Sequence, residues 1–227
     1  MMNYVLGIVF VLGFLATLVV MLSHGLKRDL LGQEAARKTL HIGMGLLATA
    51  FPWMFSAFWP IAVLAVLATV GLMVLRTPRL RGSFGLVLGS AERSGLGIIC
   101  FSAGIACAYA LFLHDAERRV VLYVVPVLTM AIADAVAALV GERYGRHRFN
   151  AVGGRKSIEG SMAFFVIASC CCLLPLLCMP ELSLSRALVL TMILATTLTL
   201  VEASAGFGLD NLLLPVIGQL VLSQLYG

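Results

Sequence analysis

Apolar residues in this chain fall in long, nearly unbroken runs, with neither the strict alternation of a half-buried strand nor the narrow stripe of a soluble helix. A membrane-spanning helix needs about 20 mostly apolar residues. On that length scale the runs predict eight helices, at roughly 4–22, 40–57, 58–75, 95–113, 119–140, 161–179, 186–204 and 211–226. The second and third form a hairpin that turns at "PWMFSAFWP", where Trp53 and Trp59 suit the aromatic belt of a membrane interface. The last run is short and contains Pro215, which predicts a partly re-entrant segment. The opening run, "MMNYVLGIVFVLGFLATLVVML", has no basic leading region and is too long for the core of a signal peptide, so it is read as the first span. The predicted fold is an all-α polytopic transmembrane bundle of about eight spans, one domain over residues 1–227.

Composition supports a membrane protein. Of the 227 residues 61% are hydrophobic and 12% charged, against about 45–50% and about 25% in soluble domains. The net charge of +5 does not point to nucleic acid, because the basic residues lie in short loops, where Lys and Arg set orientation. With eight alternating spans, thirteen of the sixteen fall on one side. These are Lys27, Arg28, Arg37 and Lys38, then Arg76, Arg79, Arg81 and Arg93, then Arg143, Arg146, Arg148, Arg155 and Lys156. Arg118, Arg119 and Arg186 fall on the other. The first side is expected to be cytoplasmic, with both termini on the opposite, non-cytoplasmic side. The turn "AGFGLD" at 205–210 shares that cytoplasmic side. The six cysteines, three of them consecutive at Cys170–Cys172, have no metal-ligand spacing and are read as small packing residues.

Ionisable groups at membrane depth are functional candidates by default, since each costs about 2.5–3.5 kcal/mol at mid-bilayer on insertion scales. Asp134 sits in "TMAIADAVAALVGERYG", inside an apolar run, and Glu202 in "TLTLVEASAGFGLDN", with Asp210 and Asn211 following. Asp134, Ala138, Gly141 and Gly145 are spaced four, three and four and share one helical face. Such a smooth strip beside a carboxylate admits either a ligand or another helix. The loop "NAVGGRKSIEGS" at 150–161 combines Gly153 and Gly154, able to form an anion-binding nest, with Arg155 and Lys156; Ser157 or Ser161 could cap the next helix. It is not a Walker A loop, because Arg155 and Asn150 occupy the positions where that motif needs glycine. In "EAARKTLHIGMG", Arg37 and His41 stack one turn apart on a helix entering the membrane, beside Lys38. His24, His114 and His147 carry no assigned role.

Taken together, "RKTLHIGMG", "ADAVAALVGERYGRHRF…GGRKSIEGSMAFF" and "VEASAGFGLDNLLLPV" resemble the CTP-dependent lipid-alcohol kinases, a family of dolichol, phytol and diacylglycerol kinases, in order and spacing from about residue 34 to 217. The chain is more similar to the compact phytol-kinase-type members than to the dolichol enzymes with their long N-terminal membrane region. The resemblance implies phosphoryl transfer from CTP to the hydroxyl of a membrane lipid such as phytol, geranylgeraniol or a polyprenol, with a divalent metal, Mg²⁺ by expectation. It implies Arg37, Lys38, Arg155 and Lys156 on the triphosphate. Gly141, Gly145, Gly153, Gly154, Ser157, Gly160 and Asn211 would belong to the same nucleotide site. Asp134, Glu202 and Asp210 would supply metal-ligand oxygens, and Asp134, Asp210 or His41 would accept the alcohol proton. The rival enzyme is a cytidylyltransferase that attacks the α-phosphate of CTP with a lipid phosphate. The rival from another class is a transporter, which predicts inverted repeats.

Overall fold

The structure, a computed structural model, describes residues 3–82, 85–88, 94–115, 117, 119–152 and 154–226. Gly153, Arg93 and Arg118 lie outside the described residues, as does the side chain of Arg81. The chain forms α1 (Tyr4–Lys27), α2 (Gln33–Thr49), the single turn α3 (Phe51–Met54), α4 (Trp59–Leu75) and the single turn α5 (Pro78–Arg81). A 3₁₀ turn (Gly85–Leu88) follows, then α6 (Ser94–His114), α7 (Val120–Tyr144), strands β1 (Arg148–Ala151) and β2 (Gly154–Ser157), α8 (Ile158–Leu177), α9 (Leu184–Ser204) and α10 (Asp210–Tyr226). The eight long helices among the described residues run alternately up and down. Tyr4 at the start of α1 meets Ser56 in the turn before α4, and Arg186 at the start of α9 meets the carbonyls of Leu225 and Tyr226 at the end of α10.

Among the described residues five helices (α1, α6, α7, α8 and α9) are long and apolar enough to cross a membrane. The other three, α2, α4 and α10, have 17 residues each. At 1.5 Å per residue they rise about 25 Å, less than the ~30 Å hydrocarbon core.

Two sequence expectations need correction. The second helix, placed at 40–57, begins at Gln33 and ends at Thr49. Its first turns, "QEAARK", are good helix formers joined by an Arg37 Nε to Glu34 Oε2 bond of 2.9 Å. Pro52 enters two residues beyond the cap, where it cannot continue the helix. The fold is all-helical as expected, apart from one short hairpin. Residues 148–157, read as a loop, form a two-stranded antiparallel hairpin with Ala151 opposite Gly154 and Phe149 opposite Lys156. The hairpin tip is tied to the end of α9 by Val152 N donating to Ser204 O at 3.4 Å. The cysteines are free thiols: Cys100, Cys171 and Cys172 are buried, while Cys107, Cys170 and Cys178 face outward.

The core centres on α7, which packs against α2, α6, α8 and α10 and buries residues around its whole circumference from Val121 to Ala137. A helix apolar on every side is a helix surrounded by others. Close approach to it relies on small residues. A Cβ on Gly45 of α2 would lie 2.3 Å from Ala131 Cβ, and one on Gly218 of α10 would lie 2.7 Å from Pro126 Cβ. Overpacking a tight core costs about 1–3 kcal/mol, so Gly45→Ala is expected to lower the thermal midpoint of the detergent-solubilised protein by several degrees. Gly13→Ala, where a Cβ meets nothing within 4 Å, is expected to leave it unchanged or slightly raised. Equal midpoints for the two variants would contradict the α2–α7 packing.

Candidate functional site

At one end of the bundle, α2, α7, β2 and the α9–α10 turn direct charged side chains inward. Arg37 and Lys38 lie about one turn into α2, and Asp134 lies ten residues, about 15 Å, before the end of α7. Lys38 Nζ donates to Asp134 Oδ2 at 2.7 Å with both side chains buried. His41, one turn further along α2, places Nε2 at 3.1 Å from the Met130 carbonyl and 3.6 Å from Asp134 Oδ2. Its ring packs edge-on against Phe101, with centroids 5.1 Å apart. One carboxylate oxygen is thereby held by Lys38, with the His41 ring beside it bonded to the Met130 carbonyl.

A second cluster forms around Lys156, which β2 carries to the end of α9. Its Nζ donates to Glu202 Oε1 at 2.6 Å and to the Glu202 carbonyl, and lies 3.5 Å from Asp210 Oδ2. Ser161 Oγ donates to the other oxygen of Glu202 at 3.4 Å. Asp210 opens α10, where a negative side chain suits the positive end of the helix dipole. Asn211 is buried beside it, its Nδ2 donating to the Gly97 carbonyl at 3.3 Å, while its Oδ1 has no partner among the described residues. The turn between α9 and α10 places Phe207 and Gly208 at positive φ (56° and 84°). A Cβ on Gly208 would lie 2.4 Å from the Gly97 Cα, so glycine there lets the turn press against α6.

These groups line one chamber of about 1020 Å³. Its mouth is exposed and carries Glu142 of α7 with Arg148 and Arg155 of the hairpin. Beyond Lys38 and His41 the lining turns apolar and continues between α1, α2, α4 and α6, past Met44, Leu64 and Ile105. The chamber therefore joins a charged, open vestibule to a greasy inner arm.

Most sequence-predicted site residues meet here. Arg37, Lys38, His41, Asp134, Arg155 and Lys156 line the chamber, as do Glu202, Asp210 and Asn211. The glycines have a different local role. Gly154 pairs in the hairpin ladder instead of forming a nest. Gly141, Gly145 and Gly160 form the α7–α8 contact around Ser157: a Cβ on Gly145 would lie 2.7 Å from Ser157 Oγ, and one on Gly160 2.9 Å from the Ala137 carbonyl. Ser157 caps α8 by accepting from Gly160 N at 3.1 Å. Gly141, Gly154, Ser157 and Gly160 still border the chamber, whereas Gly145 does not.

The predicted phosphate-binding cations are mostly occupied: Arg37 by Glu34, Lys38 by Asp134, and Lys156 by Glu202. Arg155 has no ionic partner among the described residues. Among those residues no three His, Cys, Asp or Glu side chains are gathered as a ready-made metal cage. Glu142 and Arg148 were not singled out from sequence. Glu142 carries a usable signal, because it follows Asp134 and Ala138 at successive intervals of four and so falls on the same helical strip.

The fold and chamber define a polytopic membrane protein with a polar site opening into an apolar interior arm. The chain is 29% identical over 194 residues to a phytol kinase of Synechocystis sp., an alignment covering 83% of this chain and 78% of the relative. This likeness agrees with the motif resemblance to phytol-kinase-type lipid-alcohol kinases. No family model matches it, and no solved structure matches it.

Breaking a buried ion pair by removing one partner costs about 3–5 kcal/mol, whereas replacing both partners by apolar residues is often neutral. Lys38→Met alone should therefore destabilise the solubilised protein severely, and Lys38→Met with Asp134→Leu should recover most of the lost thermal midpoint. A double variant as unstable as the single one would show that the pair is not the dominant contact at this site.

Proposed function

We propose that this protein transfers the terminal phosphoryl group of CTP to the hydroxyl of a membrane lipid alcohol, a prenol or related polyprenol. The observation that carries this reading is the junction of a charged vestibule and an apolar arm within one chamber. A nucleoside triphosphate needs the first and an isoprenoid tail the second. A lipid alcohol that reaches along the arm presents its hydroxyl at the border, where Lys38, His41 and Asp134 stand. The relative's name and the motif resemblance supply the kinase chemistry and the cytidine nucleotide.

Phosphoryl transfer depends mainly on positioning and on neutralising oxygen charge. Arg155, Arg148, Arg37 and Lys156 hold the phosphates, Lys156 by exchanging part of its contact with Glu202 and Asp210. Asp134 accepts the hydroxyl proton through Oδ1, while Lys38 fixes its orientation through Oδ2 and the His41 ring packs beside it. The lipid oxygen bonds to the γ-phosphorus as the bond from that phosphorus to the bridging β–γ oxygen breaks. CDP leaves with the electron pair, and the proton passes from Asp134 to water.

The residues present fit a divalent cation, since Mg²⁺ takes one or two carboxylates together with substrate phosphates. Asp210, the unpartnered Asn211 Oδ1 and, on rearrangement, Glu202 would hold it. Bound there, the ion would neutralise charge on the phosphate oxygens. All eight long helices span the membrane on this reading, the three shorter ones by local thinning of the bilayer around them. Twelve of the fourteen Lys and Arg among the described residues belong to segments at the chamber end of the bundle, so on this reading the vestibule opens to the cytoplasm and both termini face away from it.

Membranes supplied with lipid alcohol and CTP labelled separately at the α and γ positions should give labelled lipid from γ only. Label from α only would establish the cytidylyltransferase reading instead. Asp134→Asn should lower kcat by about 10²–10⁴-fold with little change in KM for CTP. Arg155→Ala should instead raise KM for CTP by about 10-fold or more, as losing a hydrogen bond to a charged group, worth about 1.5–3 kcal/mol, requires. Initial-rate kinetics on reconstituted protein separate the two; a kcat effect from Arg155→Ala with unchanged KM would contradict its assignment to the phosphates.

A further inference from the structure

The apolar arm has a rigid end. On α2 its wall is a single stripe, His41, Met44, Ala48 and then Phe51 just past the helix end, the spacing of one helical face. α4 lines the arm in the opposite direction, with Leu72 nearest the charged vestibule, then Ala68, Ala65 and finally Ile61. At the far end Phe51 and Ile61 are buried, 5% and 1% exposed. Behind them stands an aromatic cluster: Phe51 packs edge-on against Phe55 at 5.6 Å and Tyr109 against Tyr123 at 5.7 Å. Two buried phenols tie this cluster to the backbone of the turn. Tyr123 Oη donates to the Ala48 carbonyl at 3.0 Å, and Tyr109 Oη to the Phe55 carbonyl at 2.5 Å. The segment from Ala48 to Phe55 is thus pinned by hydrogen bonds that have no water to replace them, and it does not swing aside cheaply.

We infer that Phe51, with Ile61 opposite, is the floor of a tail-binding arm that selects lipid alcohols by chain length, measured from the His41–Asp134 border. This inference rests on the lipid-alcohol kinase reading and adds to it the residues that choose the substrate. From His41 to Phe51 is ten residues, about 15 Å of helix rise, which is the depth of one leaflet of a ~30 Å hydrocarbon core. A single tail of about that length fills the arm with its hydroxyl at Asp134. A long polyprenol has no room beyond Phe51, so its tail must leave the arm sideways and forgo the burial. The small side chains of Ala48, Ala65 and Ala68 keep the arm open. Replacing one with a large residue should shorten it, and trimming the floor should lengthen it.

The experiment is a competition: farnesol, geranylgeraniol and a long polyprenol are supplied together with CTP to the reconstituted protein, and the lipid phosphates are quantified in one tube. A product ratio within one tube does not depend on how much of a variant is folded. The wild-type protein should disfavour the polyprenol at least tenfold. Ala65→Phe should move the farnesol to geranylgeraniol ratio at least tenfold towards farnesol, and Phe51→Ala should move it towards geranylgeraniol. KM for CTP should be unchanged in both variants. An active wild-type protein whose ratio is unmoved by either substitution, or which uses the polyprenol as well as geranylgeraniol, overturns the length ruler alone. A wild-type protein that phosphorylates none of the three overturns the kinase reading, and the ruler with it.

Discussion

The buried contact between Lys38 and Asp134 is the constraint on which the rest of the structure depends. Neither side chain is tolerable by itself at that depth. A lone carboxylate or ammonium in apolar surroundings would neutralise or draw in water, whereas the two at 2.7 Å compensate each other. The pair fixes the rotation of α2 about its axis and, through it, which residues of α2 face inward. It places His41 against Asp134, aims Met44 and Ala48 down the arm, and leaves Arg37 at the vestibule. A buried ion pair is weak evidence for net stability. Its value here is positional, because it marks the border between the charged and apolar halves of one chamber.

The second cluster answers a different need. Lys156 reaches Glu202 and Asp210 from a hairpin strand, so the side chain that would meet phosphate is carried on an element tied to α9 at its tip. An inward-facing cation requires an acidic partner, and Glu202 supplies it. An arriving triphosphate could take over that role without leaving either charge uncompensated. The unpartnered Oδ1 of Asn211 sits where such a substrate, or a cation accompanying it, would end the orphaning of a buried polar atom.

Much of this was legible in the sequence. The apolar runs marked the long helices, and ionisable residues within them marked Asp134 and Glu202, because few side chains are as costly in that setting. What the sequence withheld is mostly three-dimensional pairing. Lys38 and Asp134 are 96 positions apart, and no local pattern joins them. The hairpin escaped notice because each strand has four residues, too short for alternation to register, and Gly154 reads in sequence as readily as part of a nest as of a ladder. The small-residue strip after Asp134 was ambiguous between ligand and helix contact, and the structure shows tight α7–α8 packing around Ser157. The early start of α2 was missed because hydropathy alone sets aside "QEAARK", although those residues favour helix on their own account.

The account is tested most directly by asking whether one nucleotide covers surfaces contributed by separate parts of the chain. Single cysteines at Ala35→Cys, Ala138→Cys and Gly206→Cys, in a background with the native thiols replaced by alanine, would be labelled with a water-soluble maleimide with and without CTP and Mg²⁺. A shared vestibule predicts that nucleotide slows labelling at all three, while Ser185→Cys at the opposite end of the bundle is unaffected. Protection at one position only, or at none, would contradict it.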